Sequence, residues 1–314
     1  MQITRWTDET GTTIQEVERK LLTVHGDEQS DTATGYINWV IEKQFSQNKN
    51  GVFNGKNVEY NLFTFSVDQI PVGVDVDDES VTKKTGILIV YVVSDKVRYI
   101  INRNSGALTL IRKMLFYTGK GEVVKNKLPF TAEKFVWLIS KVYNSENILE
   151  GGNDYLENLA IDTIRGFKGD TEDSLTTISA EGESVMNIIS TLSFLIESKN
   201  LNQINIDLAY RNHTNIGVTL NNKSTVFVSE ERYLGELLQN HTYYERIAEI
   251  ILVLYTEVLP IIIQNYQNDV DSNLWNQGRC IEFLQQVAND LSTKVESRIN
   301  DLKERPEQLN LTLA

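Results

Sequence analysis

The stretch ILIVYVVSDKVRYIIN, from Ile87 to Asn102, decides the fold class. Its opening run, Ile87 to Val93, is apolar without a break, as in a strand covered on both faces. Ser94, Asp95 and Lys96 supply turn chemistry, and Val97 to Asn102 alternates as a returning strand does. Together they predict a β-hairpin.

Upstream, NVEYNLFTFSV (Asn57 to Val67) alternates as a further strand, and PVGVDVDDESVTKKTG (Pro71 to Gly86) reads as a long acidic loop. Nearer the N-terminus, TTIQEVERKLLTV (Thr12 to Val24) and TGYINWVIEKQF (Thr34 to Phe45) repeat apolar residues at helical spacing, which predicts two helices.

Downstream, NSGALTLIRKMLFYTG predicts a short amphipathic helix with Asn104 or Ser105 as cap and Gly119 as its stop. Thr131 is placed to cap AEKFVWLISKVYN. NLAIDTIRGF and SLTTISA read as strands, ESVMNIISTLSFLIES as a helix capped by Ser184, and LNQINIDLAYRN, NIGVTLNN and STVFVS as a meander with Asn-rich turns. From Glu230 onward the patterns are helical, with two long helices, His241 to Asn268 and Leu274 to Lys303, broken by DVDSN. The expected class is α+β: a mixed or antiparallel sheet with helices, followed by a long C-terminal helical hairpin. Three segments follow, 1–55 helical, 56–229 the α+β core and 230–314 the hairpin.

The net charge of −13 argues against a general nucleic-acid coat or an anionic membrane surface as partner, although it allows a local basic patch. A lone cysteine, Cys280, forbids an intrachain disulfide and a cysteine-built zinc site, and MQITRWTDETGTT lacks the apolar core of a signal peptide. The expectation is a cytosolic protein. Ile247 to Ile263 is strongly apolar, but it carries Glu249, Glu257 and Pro260, so it reads as a buried helix without membrane insertion.

IRGFKGDTEDSL, Ile164 to Leu175, is the loudest local signal for chemistry. It fails as a phosphate loop, because Lys168 precedes Gly169 and a strand follows. It fails as an EF-hand loop, because Leu175 stands where the turn glycine belongs. A hairpin connection remains, with Gly166 and Gly169 supplying unusual backbone angles. His25, His213 and His241 show no metal-binding spacing, and neither G-x-S-x-G nor G-x-G-x-x-G occurs. No cofactor or metal is expected. A metal-dependent nuclease or hydrolase is the competing class, and it requires Asp75, Asp77, Asp170, Glu172, Asp173 or Asp207 to converge.

Two features carry functional content. Between Lys96 and Lys127 the charge reverses locally: Lys96, Arg98, Arg103, Arg112, Lys113, Lys120, Lys125 and Lys127 face Glu122 alone, with Tyr99, Phe116 and Tyr117 interleaved. That composition suits a phosphate-bearing partner such as nucleic acid, or an acidic protein face. Pairing with the acids of DVDDE and GDTEDS competes with it, and the overall charge favours that pairing. In the last helix Ile281, Ala288, Val295 and Leu302 fall seven apart, with Leu284 and Leu291 offset by three and Arg298 interrupting. This seam predicts a homodimer through the C-terminal helices. No stretch carries a family resemblance. The expected function is non-enzymatic: an oligomeric interaction component, in keeping with a bacterial accessory complex for antiviral defence or regulation.

Overall fold

The computed structural model describes residues 1–23, 35–70, 81–152, 157–170, 177–181 and 200–304. The protein is α+β, with antiparallel strands, helices and a long C-terminal helix. It divides into two compact units, the first made of Met1–Pro129, Asn212–Ile216 and Lys223–Pro260, the second of Phe130–Arg211, Gly217–Asn222 and Ile261–Ala314.

In the first unit the central hairpin is β5 (Thr82–Val93) and β6 (Lys96–Ile101). Val93 pairs with Lys96, and Ser94 and Asp95 between them both have positive φ, 51° and 60°. Two left-handed central residues define the tight turn whose twist matches the flanking strands. Outward from β5 lie β4 (Lys56–Gln69) and β2 (Tyr36–Lys43). On the other side β6 pairs with β1 (Gln2–Asp8), and β1 pairs with β13 (Val226–Gly235). Short strands β3 (Lys49–Phe53) and β7 (Val123–Lys125) add to β4 and β1.

One face of this sheet carries α1 (Ile14–Thr23) and α2 (Ala107–Met114). Their Val17, Leu21, Leu110 and Ile111 close over Trp6, Phe63, Leu88, Val90 and Tyr99. Each such side chain taken out of water contributes about 1.5–3 kcal/mol before entropy is counted. After the short α4 (Leu237–Asn240), the chain forms α5 (Tyr243–Val253) and a π-helical turn, Leu254–Val258. Their polar contacts reach β1, β3 and β4. Tyr60 donates to Glu249 at 3.1 Å, the backbone N–H of Asn54 donates to buried Glu257 at 2.6 Å, and the Arg5 guanidinium lies 5.1 Å from the Tyr255 ring centre.

The second unit pairs β9 (Leu159–Asp170) with β10 (Thr177–Glu181) on one side and β11 (Asn200–Tyr210) on the other, and β8 (Ile148–Leu149) adds to β9. Helix α3 (Ala132–Tyr143) is capped by Thr131, whose hydroxyl accepts from the Lys134 N–H. It contacts both α6 (Leu259–Asp271) and α7 (Gln277–Glu304): Trp137 donates to Asp269 at 2.9 Å, and the rings of Tyr143 and Phe283 meet edge to face. Strand β12 (His213–Asn221) has residues in both units.

Five local expectations change. Tyr36–Lys43 is a strand, not a helix, because a bulge between Ile37 and Val40, with Asn38 at φ 55°, breaks the alternation and makes its spacing look helical. Thr82 to Gly86 belong to β5 rather than to an acidic loop. There Gly86 is required, since a Cβ would lie 2.3 Å from the Asn102 side-chain oxygen. Helix α2 starts after Gly106 at φ 72°, without a side-chain cap from Asn104 or Ser105, and ends at Met114 rather than Gly119. Gly166 and Gly169 sit inside β9, paired with Glu181 and Ile178, so they form no turn. Glu230 to Gly235 extend β13, where Tyr233 is buried, although the local pattern also fits a helix. The expected Ser184 helix lies outside the described residues. Of the described helices only Tyr243–Asp271 is long and apolar enough to cross a membrane, and 72% of that window is buried.

Thr242 and Glu245 form a reciprocal capping box at the start of α5, and Lys49 also donates to Glu245. These bonds, that of Lys49 first, lower the Glu245 carboxyl from its ordinary 4.5 to about 2. Its stabilising contribution is therefore present above pH 4.5 and lost as the pH falls toward 2. Thr242→Ala is expected to cost about 1 kcal/mol in urea denaturation at pH 7. Glu245→Gln is expected to flatten the fall in stability between those pH limits, which thermal melts across that range would check.

Candidate functional site

The eight basic residues of the 96–127 segment all belong to the first unit. Lys96 reaches Glu9 at 3.3 Å, and among the described residues none of the other seven forms an ion pair with a carboxylate. The strand pleat separates some of them. Tyr99 packs with α2 on one face, so Arg98, its neighbour on β6, points to the other. Arg112 and Lys113 occupy the last turn of α2, where cations complement the helix dipole. Lys120 and Lys127 are exposed in loops.

Arg103 and Lys125 come to the start of α2. The Arg103 guanidinium donates to the Thr85 carbonyl, and its own carbonyl accepts from the Thr4 hydroxyl at 2.6 Å. From β7, the Lys125 ammonium donates to the Asn104 side chain at 3.3 Å and to the Lys223 carbonyl at 3.2 Å. Burial lowers the Lys125 pKa. The helix start thus presents uncapped backbone amides, a half-buried ammonium and the Asn104 amide on one small surface, a set of groups that suits a phosphate oxygen.

The carboxylates meant for metal chemistry fare differently. Asp75, Asp77, Glu172 and Asp173 lie outside the described residues. Asp170 pairs with Asn200 at one end of β11 and Asp207 lies seven residues along it, which separates their backbones by roughly 23 Å. Asp207 is 3% exposed and holds the Arg165 guanidinium. Among the described residues no three His, Cys, Asp or Glu side chains lie together so as to hold a metal ion. His213 meets the Tyr233 hydroxyl at 2.7 Å, and His241 meets Glu249 at 3.4 Å. Burial, then Glu133, pushes the Cys280 thiol up, the reverse of an activated nucleophile.

On α7, Phe283 and Val287 are buried, whereas the seam residues Ile281, Ala288, Val295 and Leu302 are exposed, with Leu284 and Leu291 half-buried. Between α3 and the start of α7 lies a cavity of about 510 Å³, and its charged groups satisfy one another, Lys141 with Asp269 and Glu146, Arg279 with Glu282.

One buried polar centre gave no signal in the sequence. Asp8 at the end of β1 accepts from the hydroxyls of Tyr99 and Tyr117, each at 2.6 Å, and from the Thr10 amide and hydroxyl at 2.8 and 2.6 Å. Four donors fill its oxygens and leave no room for chemistry on a substrate. Burial, then the Asp8 bond, drives Tyr99 far above the ordinary tyrosine range and Tyr117 to about 12. The centre is structural, tying β1, β6 and the loop that follows α2. Asp8→Asn, which turns a donor toward donors, is expected to cost about 2 kcal/mol in urea denaturation. Tyr117→Phe should cost less, since it removes one donor and leaves no group opposed. No family model matches this chain, and no curated protein is similar to it.

Proposed function

We propose that the protein is a non-enzymatic, cytosolic binding component that takes a nucleic acid through its phosphates at the surface around the start of α2. The observation that carries this reading is the missing acid: in a chain of net charge −13, seven of the eight basic residues between Lys96 and Lys127 have no carboxylate partner among the described residues. The helix-start amides and Lys125 support the same reading, because they meet a phosphate oxygen without a change of fold. The overall charge opposes long-range attraction, so contact is local and strongest at low salt.

The test is fluorescence anisotropy with labelled single- and double-stranded DNA and RNA at two salt concentrations. Wild type should bind in a salt-sensitive way, and Lys125→Glu should weaken binding to all sequences alike, reducing the salt slope by about one phosphate contact. Arg112→Glu/Lys113→Glu, at the other end of α2, should have a smaller effect. Absence of binding by wild type at low salt, or binding that Lys125→Glu leaves untouched, removes the reading.

A further inference from the structure

We infer that α7 pairs antiparallel with the α7 of a second copy of this chain, through the face that begins past Asp290. This does not depend on nucleic-acid binding. The helix is 28 residues long, yet its buried residues, Phe283 and Val287, fall in its first half. From Leu291 to Lys303 every residue is exposed except Leu291 and Lys294, which are half-buried. This stretch carries Leu291, Val295, Ile299 and Leu302 at spacings of four, four and three, an apolar stripe of the kind two helices share; Val295, Ile299 and Leu302 are 42%, 44% and 38% exposed.

Charge identifies the occupant. Two copies of a chain carrying −13 repel each other, but α7 holds Arg279, Lys294, Arg298 and Lys303 against Glu282, Asp290, Glu296, Asp301 and Glu304, a net of −1. Here two copies meet with little repulsion. Charge also sets the orientation. In a parallel pair Arg298, at a core position of the seam, would face its own copy. An antiparallel pair sets Val295 against Arg298 and Leu291 against Leu302 of the other copy, each contact occurring twice by the two-fold axis. Antiparallel pairing also sends the two acidic bodies to opposite ends of a stretch about 21 Å long, beyond the screening length of about 8 Å at physiological salt.

Sedimentation equilibrium over a concentration series is the first test. Wild type should approach twice the 35.8 kDa of one chain, and Val295→Glu, at a position exposed in the single chain, should return the mass to one chain with an unchanged far-ultraviolet circular dichroism spectrum. A one-chain mass for wild type at every concentration overturns the proposal and assigns the stripe to a different protein. Orientation is read by mild oxidation on a Cys280→Ser background. An equal mixture of Leu291→Cys and Leu302→Cys chains should crosslink, and Leu302→Cys alone should not. A crosslink in Leu302→Cys alone overturns the antiparallel arrangement.

Discussion

The first unit is organised around one constraint: the second half of β5 is buried on both faces. Leu88, Ile89, Val90 and Tyr91 are consecutive and all inaccessible to solvent, so neither side of β5 can be left wet. Helices α1 and α2 cover one side with aliphatic side chains. On the other side buried polar groups are tied to the backbone, as where Glu257 in the π-helical turn receives the Asn54 amide. A buried carboxylate without such a donor would cost more than the helix gains by packing.

This constraint also explains what was legible in the sequence. Ile87 to Val93 is an unbroken apolar run and Val97 to Asn102 alternates, so the hairpin and the α+β class were readable from spacing alone. Tyr36 to Lys43 was not readable, because the bulge at Asn38 shifts one residue out of step and turns a period of two into one resembling a helix. The Asp8 centre was hidden for another reason. Its partners lie 91 and 109 residues away, and a single aspartate at a strand end carries no local mark of that distance.

The candidate site was legible in composition and not in geometry. Eight basic residues in one segment announce a reversal of charge, but the pleat of β6 and the turn of α2 distribute them over different surfaces. The partner of Lys125 shows why. Asn104 is 21 residues away in the chain, and it comes into reach only because β7 returns alongside β1. Spacing reports which charges are near in sequence, and strand pairing decides which of them share a surface.

The corner between β5 and β6 carries backbone strain. Ser94 and Asp95 hold left-handed backbone angles that asparagine and glycine would adopt with less strain. Hairpins of this geometry elsewhere converge on Asn-Gly. The hairpin on which the first unit rests is thus closed by a pair that is not the least strained one for its geometry. Asn-Gly at this corner would relieve that strain and leave the pairing of Val93 with Lys96 in register.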